Sequence, residues 1–140
     1  MFRLLTTLIV GVIAIANTAL AQNDWTTLYN DNIAKIEYRY DDCHRPEDGV
    51  HKQNIHLKFT NHTNRTVVVS YQKSTSYNNK PAATPGAENT FAVTLKPGEV
   101  LEGSCGLKDK RLYIFVKMLD GTSQSVMTAF KLLNIQVSQS

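Results

Sequence analysis

The stretch at residues 54–71 constrains the fold of this chain most, because it holds two runs of residues that suit β-strands. The first run alternates apolar and polar side chains, the period-two pattern of a strand with one buried face. Its apolar members are Ile55, Leu57 and Phe59. The second run, residues 66–71, is β-branched nearly throughout and therefore suits a pleated sheet better than a helix. Polar residues 61–65 separate the runs, so the sequence predicts a β-hairpin.

Residues 1–21 have the parts of an export signal. Arg3 gives a positive start, and residues 4–16 form an uncharged apolar run, shorter than the about 20 residues that a membrane span needs. Ala19 and Ala21 supply the A-x-A pattern that precedes cleavage. We expect a mature chain of residues 22–140 with no membrane span, in a secreted or periplasmic location. The alternative is an uncleaved anchor.

The two cysteines, Cys43 and Cys105, form an even pair in a chain predicted to leave the cytoplasm. In an oxidising compartment such a pair is normally a disulfide. The alternative is that Cys43 is a nucleophile assisted by the neighbouring His44.

Charge and motifs argue against two broad functions. The formal net charge is +3, and the charged residues are interspersed, so no basic field for nucleic acid is present. The sequence contains no Gly-rich phosphate loop, no G-x-S-x-G and no H-E-x-x-H, which are common signatures of catalytic sites. We therefore expect neither an enzyme nor a bound cofactor.

Alternating segments and turn residues along the whole chain predict an all-β fold. The further predicted strands are residues 25–29, 33–40, 90–95, 100–104, 112–118 and 126–137. Residues 112–118 are apolar on both faces and predict a central strand, and a bulge is expected near Leu132 and Leu133. Residues 41–49 and 73–89 are predicted loops. Seven to eight strands with one disulfide favour a single antiparallel β-sandwich, immunoglobulin-like, over a small barrel.

Two turn motifs carry a resemblance. Residues 60–67 read T-N-x-T-x-x-x-V, and residues 95–99 read L-x-P-G-E. Both resemble turns of the small exported bacterial immunoglobulin-like β-sandwich modules, a loose group that includes adhesive modules and inhibitors. The resemblance spans residues 50–105, implies the fold, and carries no catalytic residue to this chain. Trp25 precedes both cysteines, so the Cys-Trp-Cys spacing of antibody-type domains is absent.

The four histidines lie close together in the sequence, at positions 44, 51, 56 and 62. Imidazoles and carboxylates are ligands of zinc and copper in proteins. The candidate metal ligands are His44, His51, His56 and Asp42. Their spacing matches no standard metal motif, and the alternative is that they are surface histidines.

Candidate contact residues for a partner lie in two places. The long loop contributes Tyr77, Asn78 and Asn79, and the predicted hairpin tip contributes Asn61 and Arg65. Asn61 and Asn64 both start an N-x-T sequence, which is either a glycan site or a turn preference. We expect an exported non-catalytic module that binds a protein or surface ligand. The alternatives are a metal-binding protein that uses the histidines and an inhibitor of a secreted enzyme.

Overall fold

The computed structural model describes residues 24–140, so the predicted signal peptide lies outside the described part. Within it the chain is all-β, as predicted, with two one-turn 3-10 helices at Pro46–Asp48 and Ala87–Asn89. The strands are β1 (Thr26–Asn30), β2 (Ala34–Arg45), β3 (Val50–Asn61), β4 (Val67–Tyr77), β5 (Thr90–Leu95), β6 (Val100–Glu102), β7 (Tyr113–Met118) and β8 (Met127–Gln139).

The strands form two antiparallel sheets that share one core. In the larger sheet β1, β2 and β3 are neighbours, and β6 and β7 both pair with β3 at different points along it. This sheet is curled into a half-barrel. The smaller sheet has the order β5-β4-β8. Apolar side chains from both sheets are buried between them, among them Ile36, Ile55, Leu57, Phe59, Val67, Val69, Tyr71, Val93 and Leu95.

The predicted hairpin at residues 54–71 is wrong, because β3 and β4 belong to different sheets. Both strands direct alternate apolar side chains into the core, as the pattern indicated, but they do so from opposite sides of it. The Asn61 side chain stabilises the crossing between the sheets. Its Nδ2 donates to the carbonyl oxygens of Arg65 at 2.7 Å and Lys96 at 2.9 Å, and its Oδ1 accepts from the Thr63 amide at 2.9 Å.

The predicted loop at residues 41–49 is also mostly wrong. The ladder between β2 and β3 continues to the pair Arg45 and Val50, and only a tight turn remains, with Gly49 at φ 64°. In this polar segment Asp41 and Cys43 are buried on the face of β2 opposite to the one that carries Ile36. The polar composition of residues 41–49 suggested a loop. The sequence gives no local sign of their burial, because the residues that cover them lie elsewhere in the chain.

Strand β7 is not the central strand that its apolar sequence predicted, since β3 is its only ladder partner in the described part. Side chains from β4 bind the carbonyls of its other edge. Lys73 Nζ donates to the Tyr113 carbonyl at 2.8 Å, and the Tyr77 hydroxyl donates to the Phe115 carbonyl at 2.8 Å. Side-chain donors therefore satisfy carbonyls on the second edge of β7, where the described part of the chain supplies no second backbone neighbour.

Two local predictions hold. The L-x-P-G-E sequence forms a tight turn, in which the Glu99 amide donates to the Lys96 carbonyl at 3.0 Å and Gly98 has φ 67°. Strand β8 contains a bulge, which lies slightly after the predicted position, at Asn134 with φ 51°.

Gly103 gives a test of the packing between β6 and β7. A Cβ at this position would lie far inside van der Waals contact of the Leu112 carbonyl oxygen and 3.3 Å from His56 Cδ2. We expect Gly103→Ala to lower the free energy of unfolding by about 1–3 kcal/mol, because backbone must move. Urea denaturation measures this. Gly106→Ala is the control, since nothing lies within 4 Å of its added Cβ; equal stability of the two variants would contradict the packing described.

Candidate functional site

The larger sheet has a second buried face, opposite the core. Side chains alternate along β2 and β3, so one set faces the core and the other set faces outward. On this outer face Asp41, Cys43, Asn54 and His56 are all buried, and His56 is only 1% exposed. Something other than the core must therefore cover them.

The cover is a segment that we name the crossing loop, residues 103–112. Both of its ends bond to Leu57 of β3: the Gly103 amide donates to the Leu57 carbonyl, and the Leu57 amide donates to the Leu112 carbonyl, each at 2.9 Å. Because β3 separates these ends from β2, the loop must pass over β3 to reach β2.

A disulfide joins the crossing loop to β2. Cys105 of the loop is bonded to Cys43, with a Cα to Cα distance of 5.4 Å, and the predicted pairing is confirmed. Such a bond is consistent with an oxidising environment outside the cytoplasm.

The buried histidine beneath this loop is paired with a carboxylate. His56 Nδ1 lies 2.5 Å from Asp41 Oδ2, and the same carboxylate oxygen accepts from Arg39 Nε at 3.0 Å. A ring nitrogen of His56 and the two disulfide sulfurs all lie within 4.8 Å of one another. The sequence therefore builds a compact cluster of one imidazole and two sulfurs, with Asp41 behind the imidazole.

Next to this cluster lies a cavity of about 420 Å³ between the outer face and the crossing loop, which we name the disulfide cavity. Its lining contains four cationic side chains and no carboxylate. The lining residues are Cys43, His44, Arg45, Val50, Lys52, Asn54, His56, Ser104, Cys105, Gly106, Leu107, Lys108, Lys110 and Tyr113.

The positive charge of the disulfide cavity is largely uncompensated. Arg45 lies 3.7 Å from Asp48, but the ion pairs within residues 24–140 involve none of Lys52, Lys108 and Lys110. Opposite charges within a few ångströms would weaken the attraction for an anion. Three lysines therefore line this space without an ion-pair partner among residues 24–140.

Asn54 adds a polar group to the cavity wall. The residue is 4% exposed, and its Oδ1 is buried without a hydrogen-bond partner in the described part of the chain. Leaving such an atom unpaired costs about 1–3 kcal/mol. Because a side-chain amide presents an oxygen or an NH2 group depending on its rotation, Asn54 can donate to or accept from a bound group.

Side chains of β4 hold the far end of the crossing loop from the core side. Lys73 continues the inward-facing stripe of β4, and its Nζ donates to the carbonyls of Lys110 and Tyr113 and lies 4.2 Å from the Phe91 ring centroid. Burial lowers the pKa of Lys73 to about 8. The hydroxyl of Tyr71, whose pKa burial raises, donates to the Arg111 carbonyl.

The structure divides the predicted metal ligands between two faces. His44 and His51 are cross-strand partners with their Nδ1 atoms 2.8 Å apart at an exposed position. Asp42 shares their face, where its Oδ1 accepts from Gln53. His56 lies on the opposite face. It shares a face with its cross-strand partner Arg39, and Arg39 is an odd number of residues from His44 along β2, where successive side chains alternate between the two faces.

The predicted partner contacts are placed as follows. Tyr77 ends β4, with its hydroxyl bound to a backbone carbonyl. Asn78 and Asn79 are exposed with φ 55° and 60°, and Asn78 bonds to the Gln124 carbonyl and the Val126 amide. Asn61 is buried and Arg65 is exposed. Their role as contacts stays a prediction.

Sequence reasoning missed the cavity residues Lys52, Asn54, Lys108 and Lys110. Lys108 and Lys110 lie in a charged run, residues 106–111, that is typical of a solvated turn. Their closeness to Cys105 is the one sequence signal that connects them with the end of β2.

No known protein family matches this chain, and no curated protein or solved structure matches it either. Within residues 24–140 no helix is long and apolar enough to cross a membrane.

Lys73 gives a prediction for the dependence of stability on pH. Its pKa is about 8 in the folded chain, against 10.5 ordinarily, so between these values the unfolded chain binds more protons at this group. The free energy of unfolding of the wild type, relative to Lys73→Met, should therefore rise as pH increases from about 8 toward 10.5. Urea denaturation at several pH values measures the difference. Lys131→Met, at an exposed position, is the control for replacing a lysine by methionine. A difference between the wild type and Lys73→Met that stays flat or falls over this pH range would contradict the buried amine.

Proposed function

We propose that this chain is an exported, non-catalytic β-sandwich module that binds an anionic group, a carboxylate or a phosphate, of a protein or surface ligand. The disulfide cavity is the binding site. The observation that carries the proposal is the lining of the cavity, to which residues 24–140 contribute four cations and no carboxylate beside the buried side chain of Asn54, whose Oδ1 has no hydrogen-bond partner in that part of the chain. Charged donors make the strongest hydrogen bonds to such anions.

The position of the cations strengthens the proposal. Lys52 and Arg45 come from the paired strands β3 and β2, whereas Lys108 and Lys110 come from the crossing loop. They converge on one concave space, where the low dielectric of the walls increases their attraction for an anion. The disulfide holds the loop in place before binding, so little ordering cost opposes association.

The site also fits the location and the group resemblance predicted from the sequence. A disulfide suits a secreted or periplasmic protein, and two packed antiparallel sheets suit the immunoglobulin-like modules. The cavity lines β3 from Val50 to His56, whereas Asn61 is the last residue of the strand, about 17 Å along it from His56.

Charge reversal in the crossing loop tests the proposal. The variant Lys108→Glu with Lys110→Glu should bind inorganic phosphate and citrate about tenfold more weakly or worse, because charge-assisted hydrogen bonds are worth about 1.5–3 kcal/mol each. Isothermal titration calorimetry measures both affinities. The two probes separate a phosphate-bearing ligand from a carboxylate-bearing one.

The matched control is Lys80→Glu with Lys96→Glu, which changes the net charge equally at exposed positions outside the cavity. It should bind both probes nearly as the wild type does. Equal weakening by the two double variants, or a wild type that binds neither probe, would contradict the proposal.

The paired histidines support a second candidate function, the binding of a divalent metal ion. His44 and His51 present two imidazoles side by side at the surface, with ring centroids 5.0 Å apart, and Asp42 is on the same face. Imidazole and carboxylate ligands suit zinc and copper.

Zinc titration with His51→Ala tests this second function. Removing one of the two imidazoles should abolish most of the zinc binding by the oxidised protein, because one imidazole and one carboxylate hold zinc poorly. His62→Ala is the control, since His62 lies beyond the far end of β3. Unchanged binding in His51→Ala would contradict the site.

A further inference from the structure

We infer that the protein, once its disulfide is reduced, holds a zinc ion between Cys43, Cys105 and His56. The inference rests on the cluster beneath the crossing loop and does not depend on anion binding. The exposed pair of His44 and His51 is a different site on the other face of the sheet.

The donor atoms already lie at the scale of a zinc site. The two sulfurs and a ring nitrogen of His56 are within 4.8 Å of one another. Around one zinc ion, two thiolate sulfurs lie about 3.8 Å apart and a sulfur and a nitrogen about 3.5 Å apart, given metal bonds of about 2.3 Å and 2.0–2.1 Å. The two sulfurs have to separate when their bond breaks and the side chains have to close around the ion, while the strand ladder keeps the backbone of Cys43 and His56 in place.

Asp41 orients the imidazole as zinc sites require. Histidine ligands usually donate their second ring N–H to a carboxylate, which fixes the ring and leaves the other nitrogen for the metal. Here His56 Nδ1 is 2.5 Å from Asp41 Oδ2, and Arg39 holds the same carboxylate. The buried Asp–His pair and the two sulfurs therefore lie together beneath the crossing loop.

The surroundings suit the charge and the coordination number of such a site. Two thiolates neutralise the ion, and Lys52, the strand partner of Cys43, favours the thiolate form as nearby cations generally do. The disulfide cavity opens on all three ligands. It leaves the fourth coordination position to a water molecule or an exchangeable ligand, as in three-ligand zinc sites.

The chemistry balances with a thiol reductant from the surroundings. Two thiol molecules, or one dithiol, break the bond between Cys43 and Cys105, give it two electrons and two protons, and leave as their own disulfide. Zinc then displaces the two protons from the cysteine thiols.

Cobalt(II) spectroscopy on the mature chain tests the inference. In the His44→Ala with His51→Ala background, which removes the exposed pair, the protein is titrated with cobalt(II) before and after reduction with a phosphine that does not compete for metal. The reduced protein should bind one equivalent with thiolate-to-cobalt charge-transfer absorption, and zinc should displace it. The oxidised protein should show none of this absorption.

Two carboxylate variants separate a built site from two incidental thiols. Asp41→Asn should weaken cobalt binding by the reduced protein about 10- to 100-fold, as loss of a supporting carboxylate does. Glu88→Gln, which changes an exposed carboxylate in the 3-10 helix Ala87–Asn89, should leave it unchanged. Absence of charge-transfer absorption, or equal effects of the two substitutions, would overturn the inference. A reduced chain that unfolds and does not regain its circular dichroism when zinc is added would overturn it as well.

Discussion

The bond between Cys43 and Cys105 gives the larger sheet its second covered face, and the candidate site depends on that cover. The bond joins residues 62 positions apart and contributes about 4 kcal/mol on the chain-entropy model. For the candidate site the position of the bond matters more than its contribution to stability, because the bond holds the crossing loop over β3. Without the loop, His56 and Asn54 would face water, and the lysines at 108 and 110 would not converge with Lys52.

Strand β3 therefore serves two different environments with its two sets of side chains. Toward the core it presents Ile55, Leu57 and Phe59, each fully buried. Toward the crossing loop it presents Lys52, Asn54 and His56, and this polar layer carries an unsatisfied amide oxygen. Local violations of good packing and of hydrogen-bond satisfaction concentrate at functional sites, and the position of this one beside a cationic cavity supports a binding role.

The sequence predicts the class of this fold and its local turns, but not which strands pair. The alternation of apolar and polar residues around Ile55 and around Val67 identifies two strands. The same alternation is expected whether the two strands are neighbours in one sheet or face each other across a core. The prediction that β7 is a central strand was wrong for a related reason. The side chains of Lys73 and Tyr77 bond to the edge of β7 where a second neighbouring strand was expected. Turns such as Leu95 to Glu99 were predictable because their chemistry is local.

The candidate site was predictable only in its covalent part. The even number of cysteines predicts the disulfide but not where it lies in the fold. Asp41 and Cys43 were predicted to lie in a loop because the residues that contact them are distant in the sequence. If the strand predicted at residues 33–40 had been extended to Arg45, its pairing with β3 would have placed His44 opposite His51. His56 would then have been placed on the other face of the sheet. The positions of Lys108 and Lys110 follow from the path of the crossing loop, which sequence alone does not show.

The most direct test of the anion site observes Asn54 itself. Solution NMR of the mature protein resolves its side-chain amide protons, and inorganic phosphate is added at constant ionic strength. Saturable shifts of these protons, together with those of the Lys52 and Lys108 amides, are the predicted result. Shifts that are absent, or that are spread over lysines outside the cavity, would contradict the account.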